Sequence, residues 1–176
     1  MKTFLKTRLT FVTLVLCAGT AWADPSEMRA QLSGYQEVPA VSSKATGDFR
    51  MRIDRQDATI TWELRYEGIE SAVQQAHIHF GQHSVNGGIS VFLCSNLGNG
   101  PAGTQACPQT AATLTGTIVA SQVIGPNGQG MAPTQFDELL AAMRSGVTYV
   151  NVHSATFPGG EIRGQIGKGE GGGHRH

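Results

Sequence analysis

The sequence predicts an all-β fold, an antiparallel β-sandwich of about eight strands with one short helix. Three observations carry that expectation. Apolar and polar residues alternate over several short runs, the period of a strand with one buried face. Glycine is frequent, at 23 of 176 residues, and gathers with Pro and Asn between those runs, where chain reversals need it. Apolar residues at helical spacing occur in a single stretch. A chain of this length favours one domain and suffices for a real core.

The first residues, Met1-Lys2-Thr3-Phe4-Leu5-Lys6-Thr7-Arg8, are basic, 9–18 is mostly apolar, and Ala21-Trp22-Ala23 follows. That order reads as a cleavable signal peptide over 1–23, cut after Ala23, and it is too short for a stable membrane span. Leu16 argues against lipid attachment at Cys17, because a lipoprotein signal wants a small residue there. The expected domain is 24–167, secreted or periplasmic. Residues 168–176, glycine-rich with His174 and His176, read as a disordered tail.

Along the mature chain, a polar lead over 24–29 precedes a strand over 30–35, and Pro39 marks an edge or loop. Residues 47–55 place Phe49, Met51 and Ile53 on one face. Residues 58–66 do the same with Ile60, Trp62, Leu64 and Tyr66, so the two runs form a hairpin. Further strands are expected over 75–80, 89–94, 112–120, 147–153 and 161–166. Phe136, Leu139, Leu140 and Met143 form a helical stripe, with Thr134 as N-cap, Asp137 as its acidic partner and Gly146 as terminator.

Removing the signal leaves Cys94 and Cys107. In an oxidising compartment the pair reads as one disulfide, with two free thiols as the alternative. Charge is balanced, at 13 basic and 13 acidic residues, which makes no electrostatic case for nucleic acid or anionic membrane. No G-x-S-x-G, phosphate loop or dinucleotide fingerprint occurs. A binding module is therefore expected rather than an enzyme, with a protein or a metal ion as partner and no oligomeric state implied.

The chemistry concentrates in Gln75-Ala76-His77-Ile78-His79-Phe80-Gly81-Gln82-His83. Strand alternation sends Ala76, Ile78 and Phe80 to the core and His77 and His79 to the other face. In 147–153, Val150 and Val152 point inward, and Tyr149, Asn151 and His153 outward. If these strands are neighbours, His77, His79 and His153 can share a surface copper or zinc site, with His83 as an optional ligand. Asn151, Glu161 and Arg163 are candidate supporting residues; Glu161 and Arg163, two apart, would form a charge pair that orients an imidazole. The alternative is that the histidines bond one another, Asn151 and the backbone, and bridge strands without metal.

Three ordered stretches resemble the CHRD domain, the module first described in chordin and found in many exported bacterial proteins. Leu32-Ser33-Gly34-Tyr35-Gln36-Glu37-Val38-Pro39-Ala40-Val41 with Ala45-Thr46-Gly47 is similar to its opening. Ala76-His77-Ile78-His79-Phe80-Gly81 resembles its central motif. Tyr149-Val150-Asn151-Val152-His153-Ser154, with Pro158-Gly159-Gly160-Glu161-Ile162-Arg163-Gly164-Gln165-Ile166, resembles its close. The resemblance implies an exported module with an immunoglobulin-like or superoxide-dismutase-like sandwich. The histidine pattern also resembles Cu/Zn superoxide dismutase, which binds copper through H-x-H on one strand and a histidine on a later one. His83 is the one candidate for that enzyme's bridging histidine. No run of His and Asp stands ready for zinc between the His pair and the Cys segment, so dismutase activity is not carried over. The readings to be separated are a metal-binding module, a dismutase-like copper enzyme, and an envelope or matrix protein with structural histidines.

Overall fold

The computed structural model describes residues 27–109 and 111–168. The signal-peptide region and the tail from 169 onward, with His174 and His176, lie outside the described residues.

β1 (Glu27–Ser33) runs into a 3-10 turn at Gly34–Gln36. β2 (Thr46–Ile53) and β3 (Ile60–Glu67) form the expected hairpin, paired from Thr46–Glu67 to Ile53–Ile60. β4 (Val73–Phe80), β5 (Gly88–Ser95) and β6 (Ala112–Ile118) follow. The helix α1 (Phe136–Arg144) leads to β7 (Thr148–Ser154), β8 (Ile162–Gln165) and the short β9 (Gly167–Lys168). One sheet runs in the order β5-β4-β7-β8-β1-β2-β3-β6, with β9 on β1, and every pairing is antiparallel.

Alternation explains why the sheet curls. Phe49, Met51, Ile60, Leu64, Ala76, Ile78, Val150, Val152 and Ile162 all enter one buried apolar cluster, so both halves must turn the same face inward. Each large side chain so buried contributes roughly 1.5–3 kcal/mol. The sheet closes far enough that a single side chain spans its two end strands. Gln105 Nε2 donates to the carbonyls of Leu93 on β5 and Thr115 on β6, both at 3.2 Å, and Gln105 O accepts from Ser95 N at 2.9 Å. The result is a nearly closed barrel flattened as a sandwich. Cys94 and Cys107 are disulfide-bonded and pin the segment carrying Gln105 to β5. Closing a loop of this length stabilises by about 3 kcal/mol in the chain-entropy picture.

Local departures from expectation have local causes. β1 starts at Glu27, inside the expected polar lead, because Met28 and Ala30 fill core positions beside β2. Gly167 and Lys168 pair with Arg29 and Met28, so Lys168 belongs to the sheet and not to a tail. Thr134 does not cap α1. Its φ is 70°, Gln135 is the N-cap and no side-chain cap bond forms; Gln135 Oε1 instead accepts from Ala132 N at 2.6 Å. Leu139, Leu140 and Met143 pack into the core as the stripe requires. No helix among the described residues is long and apolar enough to cross a membrane.

Candidate metal centre

β4, β7 and β8 lie side by side, and their outward residues build the site. The register sets His79 opposite Tyr149, His77 opposite Asn151 and Gln75 opposite His153. On the far side of β7, Asn151 faces Arg163 and Tyr149 faces Gln165. Register shifts between β4 and β5 flank the His77–Ile78 step. Such irregularities re-aim side chains, and the His77 ring meets Phe92 edge-on, centroids 4.4 Å apart.

The three histidines converge. One ring nitrogen from each of His77, His79 and His153 lies within 4.8 Å of the others. His77 Nδ1 is 3.1 Å from His153 Nε2. Around a metal at about 2 Å from each nitrogen, donors stand about 3.3–3.5 Å apart, so small ring movements would meet that geometry. The tautomers suit it as well. His79 Nδ1 lies 2.9 Å from Gly87 O, and His153 Nδ1 lies 2.9 Å from Pro158 O. A carbonyl accepts only, so both rings donate through Nδ1–H; His79 then carries a bare lone pair at Nε2, and so does His153 with the Asn151 amide turned to present its NH2 group to that nitrogen. Fixing a ring through its remote N–H is how metal-binding imidazoles are held. Nε2 of His79 and Nε2 of His77 are buried without a hydrogen-bond partner, which costs free energy unless something binds there.

The expectation of a surface site is corrected. His77 is 0 %, His79 7 % and His153 6 % exposed. The rings do point away from the core, but loops form a second layer over them. Arg163, 2 % exposed, holds residues 81–87 through Asn86 Oδ1 at 3.2 Å, Gln82 O at 3.2 Å and Val85 O at 2.9 Å. Asn86 Nδ2 donates onward to Val38 O at 2.8 Å, which joins the loop after β1 to the same cover. The Arg163 guanidinium lies 3.5 Å from the centroid of the Tyr149 ring. Tyr149 stacks on His79, centroids 4.7 Å apart and 4° from parallel. The Tyr149 hydroxyl accepts from Gly87 N at 3.2 Å. A Cβ on Gly87 would collide with Phe80 O, so only glycine brings this backbone close enough to serve both Tyr149 and His79.

Burial sets the protonation states. It lowers the His77 imidazole to about 2, helped by the neighbouring His153 and His79. It lowers His79 to about 4, opposed by the bond to Gly87, and it lowers His153 too. All three are neutral near pH 7 and ready to donate a lone pair. Burial likewise raises Tyr149 and lowers Arg163.

The other candidate residues part company. His83 is exposed, bonded through Nδ1 to Ser84 Oγ at 2.7 Å, and outside the cluster; the turn at Gly81 carries it onto the covering loop. Asn151 is at the cluster, its Oδ1 3.0 Å from His153 Nε2. Glu161 does not pair with Arg163, and no hydrogen bond among the described residues joins it to a histidine. It precedes β8, next to Gly160 with φ 130°, so strand parity does not hold there. Its Oε1 accepts from Ser43 Oγ at 2.8 Å and Glu70 N at 3.0 Å, tying the segment before β2 to the loop between β3 and β4. Tyr149, Phe92, the buried Glu37 that interacts with Arg163, and the carbonyls of Gly87 and Pro158 are not among the site residues the sequence singles out. Tyr149 was legible, since it alternates with Asn151 and His153 on β7. The carbonyls carry no sequence signal.

Comparison with known proteins decides the family. The family model of the CHRD domain matches residues 28–166. The chain belongs to the CHRD family. No curated protein and no solved structure matches it. The match runs from the second residue of β1 to the residue after β8, so the CHRD domain contains the whole histidine cluster and the loops that cover it. A disulfide inside the CHRD domain fits an extracellular setting.

Proposed function

We propose that this CHRD domain is an exported binding module that holds one copper or zinc ion on His77, His79 and His153. The observation that carries the reading is the convergence of three neutral ring nitrogens, two of them on rings fixed through Nδ1 to backbone carbonyls. Asn151 stands beside the donors, and Tyr149 and Arg163 support His79 from the side. Such an ion would supply a positive charge and would cross-link β4 to β7. Export is supported by the basic and apolar opening of the sequence, by Ala21-Trp22-Ala23, and by the disulfide.

The bond between His77 and His153 favours a second reading, a metal-free hydrogen-bonded triad that ties β4 to β7. Untagged protein with His174 and His176 replaced by alanine separates the two. Metal analysis and titration should find one ion per chain, lost in His77→Ala and in His153→Ala and retained in His83→Ala. Absence of stoichiometric binding would leave the triad as structural.

A further inference from the structure

The surroundings of the cluster discriminate between ions by charge. The grouped donors are three imidazoles, with no carboxylate or thiolate among them. All three rings are almost wholly removed from water. A cation stands beside the cluster, because the Arg163 guanidinium and the His79 ring both stack on Tyr149, at 3.5 Å and 4.7 Å from its centroid; the acidic group that interacts with Arg163, Glu37, is itself buried and pushed toward its neutral form.

Moving an ion from water into a low-dielectric site costs free energy in proportion to the square of its charge, about four times as much for a dication as for a monocation. Sites that hold divalent ions offset this with anionic ligands or with a coordinated water that ionises. A closed, neutral cluster beside a buried guanidinium offers neither. Imidazole suits copper, and a filled d shell tolerates three-coordination without a preferred geometry. From charge and burial together we infer that the site selects the monovalent cuprous ion over divalent zinc or copper. This rests on the metal-binding reading and narrows it.

Asn151 supplies a direct test of the charge argument. Its Oδ1 is 3.0 Å from His153 Nε2, so Asn151→Asp places an anion at the donors with almost no change of shape. The measurement is a competition titration on the untagged chain with His174 and His176 replaced. Cuprous ion is titrated anaerobically against bicinchoninate, and zinc is titrated against a chromogenic chelator. The wild type should hold one cuprous ion at least about a hundredfold more tightly than zinc. Asn151→Asp should raise zinc affinity at least about tenfold and change cuprous affinity much less. Zinc binding as tight as cuprous binding would overturn the inference and leave metal binding standing. So would a folded Asn151→Asp chain with unchanged zinc affinity. Failure of every ion to bind would instead overturn the metal-binding reading itself.

Discussion

His77 Nδ1 lies 3.1 Å from His153 Nε2, although the residues are 76 apart in sequence. Because His153 donates its other nitrogen to Pro158 O, its Nε2 is the acceptor, and His77 is the donor in the metal-free protein. Removing His153 strands the His77 ring in a dry setting. His153→Ala should therefore cost about 1–3 kcal/mol of metal-free stability in urea unfolding. A cost near zero would mean the two rings do not share this bond.

The buried rings also set a pH dependence. His77 is lowered to about 2 and His79 to about 4 from 6.5, so the unfolded chain takes up protons near pH 6.5 that the folded chain refuses. Stability from these neutral rings is present above pH 6.5. It is lost as pH falls from 6.5 toward 4, by about 1.4 kcal/mol per pH unit for each ring. Glu37 acts the other way. Burial raises its carboxyl from 4.5 to about 7, partly offset by Arg163, so its contribution is lost as pH rises from 4.5 to 7. The histidines outnumber it, and metal-free Tm should drop between pH 6.5 and pH 5. The drop should steepen in Glu37→Gln, where the opposing contribution is gone. A flat profile would contradict neutral buried rings.

Arg163 makes three bonds to residues 81–87 in a fixed fork, while its flat face rests on Tyr149. A lysine has one charged nitrogen and cannot repeat that pattern. Arg163→Lys should destabilise by roughly 2–4 kcal/mol. Tyr149→Phe keeps the stack and loses the hydroxyl's two contacts with Gly87, accepting from its N at 3.2 Å and donating to its O at 3.5 Å, so it should cost about 1 kcal/mol. Chemical denaturation of the two variants side by side checks the order, and equal costs would refute the clamp.

Gly160 has φ 130°, and a Cβ there would run into the carboxylate of Glu37. Gly160→Ala should lower stability by about 1–3 kcal/mol through backbone strain and overpacking. Adding Glu37→Ala should restore the steric part and leave the backbone part. A double variant no better than the single one would show that Glu37 is not the obstacle.

Much of this was readable from alternation. Period two along β2, β3, β4 and β7 separates core residues from the residues opposite them, and it places His77, His79, Tyr149, Asn151 and His153 on one side of the sheet. Alternation reports direction and not exposure. Whether an outward face meets water depends on what folds back over it, and that is set by distant contacts such as Arg163 with Asn86 and Asn86 with Val38. For the same reason Glu161 bonds elsewhere than to Arg163 and His83 stands apart from the cluster: each lies outside a regular strand, where parity stops predicting direction. Thr134 has the composition of a helix cap, but the turn before α1 gives it a positive φ and another role.

The central claim is that His77, His79 and His153 bind one ion together. Crystals of the untagged protein loaded with cuprous ion under anaerobic conditions, measured at the copper absorption edge, test it most directly. One anomalous peak about 2 Å from a ring nitrogen of each of the three histidines is the predicted result. No peak between those rings, or copper found only at His83 or the tail, would contradict it.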